Sequence, residues 1–463
     1  MRNNGNYAQH FHLTPEQGLL NDPNGLSYFD GYYHVFYQYN PYQTNHSTKY
    51  WGHVRSKDFV EWEQLPIALK SNDWFDKDGV YSGSALVHDG ELYLFYTGNT
   101  KDEQGIRTSY QCMATSKDGI HFEKHGPILE QAPGYTGHVR DPKVWYDTEH
   151  QGWWMIIGAQ REDETGDTIA YFSTDLKEWT YTGSIFQFDR PFGYMWECPD
   201  IVFLRDEVTE EEKAVFIFSP QGIEAQGVAY HNIFNTVYMV GQWVNGQFIP
   251  DNPSVDALVE CDHGFEYYAP QSFVDPKGRV IQYAWMGTME PAVEVSVPTI
   301  QDNWLHHLSM PKTLHLVNGV LVQRPLSEMA QLVTDEQTDT LTGDRKQFLL
   351  SGPSRIQYRA EKASHLTLMI DDACQITYDP QTERVTLSRT NWLTNVTEQR
   401  EWYLTEPLAT MDVWLDSSSV ELLVNDGAVV FSQRVFANTP LSQVVVDAFG
   451  EMVVQTLTSY RYK

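Results

Sequence analysis

Three acids stand out by their surroundings. Asp22 lies in Asn21-Asp22-Pro23-Asn24-Gly25, Asp141 in Arg140-Asp141-Pro142-Lys143, and Glu197 in Glu197-Cys198-Pro199-Asp200. Asp22 and Asp141 directly precede a proline and Glu197 stands two residues before one, so each lies in a stiffened stretch of backbone. Taken singly, an Asp before Pro is a turn residue, and Glu197 would pass for a surface charge. Gathered in one pocket they would do more. Crowded like charges push their pKa values apart, so one carboxylate can stay ionised while another keeps its proton. That division of roles is what cleavage of a glycosidic bond requires. Other chemistries find less support. Calcium loops want closely spaced acids with a glycine, and no such loop is present. The 16 histidines include His306-His307 but no HExxH spacing. Ser82 and Ser84 lack the strand-turn-helix motif of a serine nucleophile. The acidic run from Asp206 to Glu212 reads as a solvated loop.

Bringing such distant acids together demands a particular architecture, and the sequence carries its period. Strand-like aromatic and β-branched runs recur around Phe36, Phe95, Ile156, Phe216 and Ile281, at intervals of 59, 61, 60 and 65 residues. A second marker keeps similar time: Ser56-Lys57-Asp58 leads to Trp62, Ser116-Lys117-Asp118 to Phe122, and Ser173-Thr174-Asp175 to Trp179. About sixty residues per unit suits a four-stranded propeller blade with generous loops. Equivalent positions on the innermost strands of successive blades would then meet at the central channel. Asp22, Ser82, Asp141 and Glu197, separated by 60, 59 and 56 residues, are the positions expected to face it.

Beyond about residue 330 the beat stops. Val413-Trp414-Leu415, Val420 to Val424 and Val444-Val445-Val446 alternate around turns, and Asn425-Asp426-Gly427 is a strong hairpin signal. The expected fold is all-β: a five-bladed β-propeller over residues 1–325, a linker over 326–344, and a C-terminal β-sandwich over 345–463. Helix signals are thin, Leu326 to Val333 being the best short candidate. Composition agrees, since 41% hydrophobic and 14% aromatic residues support a large folded interior. A formal charge of −30 repels nucleic acid and anionic membranes, which argues against both as partners. No apolar run approaches a membrane span, and Met1 to Leu20 shows no secretory h-region, so cytosol is expected. Cys112, Cys198, Cys261 and Cys374 lie far apart with no CxxC pair, giving no support to a zinc site or a disulfide framework.

Five ordered motifs resemble those of glycoside hydrolase family 32, which contains invertases, sucrose-6-phosphate hydrolases, inulinases and levanases. They are Asn21 to Gly25, Phe36-Tyr37-Gln38-Tyr39-Asn40-Pro41, Trp51-Gly52-His53, Arg140-Asp141-Pro142 and Glu197 to Asp200. The resemblance runs on through Trp304 to Lys312, Gly319 to Pro325, and Ser418 to Gly427. It implies a propeller followed by a sandwich, and a retaining β-fructofuranosidase acting on a small-molecule fructoside. Asp22 is then the nucleophile, Glu197 the acid and base, and Asp141 the stabiliser of fructose and of the charged transition state, with Arg140 beside it. Asn21, Gln38 and Ser82 would bind fructose. No cofactor and no metal is implied.

Two departures fall where the rim of the site is expected. Tyr81 replaces a common Phe, and Asn45-His46 stands where the family often has Trp; both bear on the leaving-group side of the substrate. Sucrose, sucrose 6-phosphate and short fructo-oligosaccharides all remain candidate substrates, with Lys49 or Arg107 as possible phosphate ligands. A fructosyltransferase would use the same residues. A non-catalytic sugar-binding propeller would be expected to have lost Asp22 or Glu197, and both are present.

Overall fold

The computed structural model describes residues 5–129, 131–362 and 364–463; residues 1–4, which open the span assigned to the propeller, lie outside it. Five sheets occupy the first part of the chain. Each begins with a long strand, Gly18–Phe29, Val80–His88, Tyr135–Asp147, Met195–Arg205 and Tyr268–Val274. These five strands touch one another in a closed ring, so they are the innermost strands of five blades. The apolar runs that set the period are the second strands, Tyr32–Asn40, Glu91–Lys101, Gly152–Arg161, Glu212–Gln221 and Val280–Trp285. Such a strand is covered on both faces by the neighbouring blades. It therefore reads as a continuous apolar run, as in Gly152-Trp153-Trp154-Met155-Ile156-Ile157, and does not alternate.

The second marker of the repeat also has a physical cause. The Ser56 hydroxyl accepts the Phe59 N–H at 2.8 Å, and Asp58 Oδ1 accepts the N–H groups of Val60 and Glu61. Ser116 with Asp118, and Ser173 with Asp175, close the turns after the equivalent third strands in the same way. Later chain seals the first blade at both edges. Trp304–Leu305 pairs in parallel with its inner strand, and Arg461–Tyr462 pairs with its outer one.

Two six-stranded sheets follow and enclose a single apolar core. The expected linker over 326–344 is corrected here. Ser327–Leu332 is a 3-10 turn, and Val333–Thr342 is a strand paired along its length with Phe449–Leu457. Its sequence, Val-Thr-Asp-Glu-Gln-Thr-Asp-Thr-Leu-Thr, is polar on both faces because it is a sheet edge exposed to water, so it carries no apolar alternation. Asn425-Asp426-Gly427 forms the hairpin turn between Ser419–Val424 and Val429–Arg434, all three residues having positive φ.

The two units meet across buried charge. His12 bonds Asp416 and Glu421, both at 2.9 Å, and Lys312 meets Glu421 at 2.5 Å. Burial raises the Glu421 pKa, but Lys312 and His12 outweigh it and hold the carboxyl down at about 2. Among the described residues no helix is long and apolar enough to cross a membrane. All four cysteines are buried free thiols.

Candidate active site

Every innermost strand breaks its ladder beside the channel. Two residues oppose one at Asn21-Asp22, Tyr81-Ser82, Asp141-Pro142, Cys198-Pro199 and Ala269-Pro270. A bulge leaves its extra residue unpaired and re-aims a side chain, and it is one of the few places in a sheet where Pro fits. Asp141, Cys198 and Ala269 take positive φ there, at 70°, 46° and 49°. Aligned on the residue that follows in each strand, Pro23, Gly83, Pro142, Pro199 and Pro270, the five strands present two rings to the channel. The outer ring is Asn21, Tyr81, Arg140, Glu197 and Tyr268; the inner is Asp22, Ser82, Asp141, Cys198 and Ala269. Glu197 is thus in phase with Arg140, and Cys198 is the counterpart of Asp22 and Asp141. The sequence spacing had placed Glu197 one position too deep.

All eight residues expected in the site line one cavity of about 420 Å³: Asp22, Asp141, Glu197, Asn21, Gln38, Tyr81, Ser82 and Arg140. Asp22 Oδ2 accepts the Ser82 hydroxyl at 2.6 Å, and Oδ1 accepts Asn21 Nδ2 at 3.3 Å. Burial pushes the Asp22 pKa up and the Glu197 charge adds to this, while the Ser82 hydrogen bond, Lys49 and His46 pull it back. Asp141 Oδ2 accepts the Cys198 N–H at 3.0 Å. Its carboxyl is raised to about 7, chiefly by burial; Arg140 opposes the rise, and Glu197 and Asp22 add to it.

Glu197 is gripped on both oxygens. Arg140 reaches Oε1 through Nε at 2.9 Å and Nη2 at 2.7 Å; Gln221 Nε2 and the Tyr268 hydroxyl reach Oε2, each at 2.6 Å. The Tyr268 hydroxyl also lies 3.2 Å from the Ser219 carbonyl. Its single hydrogen can therefore turn to Ser219 when Oε2 is protonated and back when it is not. Tyr268 thus suits a carboxyl that gains and loses a proton.

Sequence reasoning missed Tyr268, although Tyr268-Ala269-Pro270 repeats the frame of Glu197-Cys198-Pro199. It also missed Gln221, Trp285, Phe234 and Glu294, which come from second strands or from loops outside the period. Trp285 Nε1, Thr288 Oγ1 and Gln38 Oε1 have no hydrogen-bond partner among the described residues, and all three residues line the same cavity, so its wall offers both donors and acceptors. Of the two rim departures, Tyr81 and His46 line the cavity, His46 meeting Glu294 at 3.0 Å. Asn45 instead bonds within its own loop, to Asn40 and Ser47.

The Ser82 contact gives a pH prediction. Ser82 lowers the Asp22 pKa, so Ser82→Ala removes a stabiliser of the ionised form. Where Asp22 must be ionised to react, the acidic limb of kcat/KM moves to higher pH in the variant. A pH–rate profile with an unmoved acidic limb would separate Asp22 from that limb.

Known proteins share the sequence and the fold of this chain. Residues 12–325 match the glycosyl hydrolases family 32 N-terminal domain, and residues 328–461 match the family 32 C-terminal domain. The chain is 40% identical over 459 residues to the sucrose-6-phosphate hydrolase of Bacillus subtilis (strain 168), covering 97% of this chain and 93% of that protein. The structure of sucrose-6-phosphate hydrolase from Lactobacillus gasseri superposes with a TM-score of 0.88 at 29% identity, covering 99% of this chain and 94% of that one. A Bombyx mori family 32 β-fructofuranosidase gives a TM-score of 0.86 at 29% identity, covering 99% and 96%. With both domain models matched in order along one chain, this protein belongs to glycoside hydrolase family 32.

Proposed function

We propose that this protein is a retaining β-fructofuranosidase that hydrolyses sucrose and sucrose 6-phosphate. One observation carries the reading: Asp22 and Glu197 share one cavity in environments of opposite design. Asp22 is buried, with a hydroxyl fixed on one oxygen, which leaves Oδ1 as the freer oxygen to attack. Glu197 has a guanidinium on one oxygen and, on the other, a tyrosine hydroxyl able to serve either protonation state.

In the first step Asp22 Oδ1 bonds to the anomeric C2 of the fructosyl unit. The bond from C2 to the bridging oxygen breaks, and Glu197 gives its proton to that oxygen as glucose or glucose 6-phosphate leaves. In the second step Glu197 takes a proton from water, the water oxygen bonds to C2, and Asp22 departs. Asp141, pinned by the Cys198 N–H, offers its remaining acceptor capacity to fructose hydroxyls and its charge to the cationic transition state. Arg140 holds Glu197 between the two steps. A phosphorylated disaccharide does not cross a membrane unaided, so this reading places the enzyme in the cytosol.

The direct test is kcat/KM on sucrose, sucrose 6-phosphate and 1-kestose. Cleavage of both disaccharides with slower attack on the trisaccharide is expected. Failure to cleave either disaccharide would overturn the assignment.

A further inference from the structure

The wall of the cavity formed by the first three blades holds cations that the two-step chemistry does not use. Lys49 and Arg107 both line it, on either side of the Tyr81 ring, at 5.6 Å and 5.3 Å from its centroid. Among the described residues neither lies within ion-pair distance of a carboxylate. This is notable in a chain of net charge −30, where most partly buried basic side chains have found one.

Arg107 is nevertheless fixed. Its Nη1 donates to the Tyr81 hydroxyl at 3.0 Å and to Asn99 Oδ1 at 2.6 Å, while Nε and Nη2 make no hydrogen bond to a described residue. One edge of the guanidinium thus anchors the side chain, and the other remains available for a planar, bidentate acceptor. Lys49 is tied to the second blade through its carbonyl, which accepts the Val80 N–H at 2.9 Å. Gly79, at φ +142°, lets Lys49 and Tyr81 close up; a Cβ there would stand 2.8 Å from the tyrosine ring.

A third group completes the wall. His138 Nδ1 lies 3.0 Å from Arg140 Nη1, and because arginine can only donate, that ring nitrogen is an acceptor. The hydrogen of the neutral ring is therefore on Nε2. Burial, with the Arg140 and Arg107 charges, pushes the His138 pKa down to about 4, so at neutral pH the ring is an uncharged donor.

We infer that Lys49, Arg107 and His138 form a phosphate subsite that holds the 6-phosphate of the leaving glucose unit. The inference rests on the fructosidase reading above and deepens it by saying what recognises the phosphorylated substrate. The strongly acidic surface repels a dianionic sugar in general, so recognition must come from a local cluster of this kind. A fixed guanidinium edge, an ammonium and a neutral N–H donor match the three terminal oxygens of a phosphate monoester. Arg140 is not available for that task, because Glu197 occupies it. Tyr81 takes part by carrying Arg107 on its hydroxyl, which a phenylalanine could not do.

The test compares kcat/KM for sucrose 6-phosphate with that for sucrose in the full-length wild type, Arg107→Gln and Lys49→Gln. The ratio is expected to fall about tenfold or more in each variant, the scale of one charge-assisted hydrogen bond. Ratios that stay at the wild-type value in both variants would overturn the subsite. Wild-type protein that cleaves neither sugar would instead overturn the fructosidase reading beneath it. Binding of glucose 6-phosphate and of glucose, measured by calorimetry, keeps the test independent of turnover. Wild type should prefer the phosphorylated sugar and the Arg107→Gln, Lys49→Gln double variant should not. A preference that survives in a double variant whose melting temperature matches wild type would place phosphate recognition elsewhere.

Discussion

Asp22→Ala is expected to lose sucrose hydrolysis by about 10⁴-fold or more, the scale seen when an enzyme's covalent nucleophile is deleted. Nothing nearby can replace it. The Cys198 thiol lies only 3.8 Å from Asp22 Oδ2, but burial and the Asp141, Asp22 and Glu197 charges hold its pKa well above that of an ordinary thiol, so it stays protonated. Asp141 is turned onto the Cys198 N–H. The loss should be as severe on an activated aryl fructoside, because a nucleophile is needed whatever leaves. The stereochemistry of the wild-type reaction checks the same claim from the other side. Two displacements at C2 return the β-anomer, so NMR of the first-formed fructose should show β-fructofuranose. First release of the α-anomer would mean a single displacement by water and would end the case for Asp22 as a covalent nucleophile.

The period and the acids were legible in the sequence for one reason. A second strand covered on both faces must be apolar along its length, and five such strands cannot hide in 463 residues. The phase of the acids was less legible. The spacing grouped Glu197 with Asp22 and Asp141, whereas the pairing across the bulges aligns Glu197 with Arg140 and Tyr268. A bulge adds a residue without lengthening the ladder, so counting residues from an apolar anchor gives its level only to within a position or so. Prolines are the better ruler here: Pro23, Pro142, Pro199 and Pro270 all follow the inner ring directly. Counted from them, the fifth blade yields Tyr268.

The rim of the site was hidden for a different reason. Between Val280–Trp285 and Lys312–Val317 the fifth blade leaves its sheet for an excursion that carries Thr288, Glu294 and His306. Glu294 meets His306 at 2.8 Å and His46 of the first blade at 3.0 Å, so the fifth blade is tied to the first across the cavity mouth. No periodicity marks such a segment, because it packs against one place only. The edge strand Val333–Thr342 escaped notice in the same way, being specified by its partner's backbone and not by its own apolar pattern.

Glu197→Ala should behave differently from Asp22→Ala, and the difference assigns the roles. On sucrose the loss should be about 10²- to 10⁴-fold, the usual worth of a general acid or base. An aryl fructoside whose leaving group needs no proton should recover the first step, so that fructosyl-enzyme accumulates and product appears as a burst. The second step still lacks its base, and azide, an anionic nucleophile that needs no deprotonation, should speed it and yield a fructosyl azide. Neither rescue is open to Asp22→Ala, which cannot form the intermediate. Glu197→Gln guards against a trivial cause, because it keeps the side chain's volume and an acceptor for the Arg140 grip while removing the ionisable proton. It should match the alanine variant on sucrose and lack the acid's share of the pH profile. Equal rescue of Asp22→Ala and Glu197→Ala would show that neither carboxyl is specific to its step. The opposite designs of their surroundings, a hydroxyl clamp on Asp22 and a switchable tyrosine on Glu197, would then need another explanation.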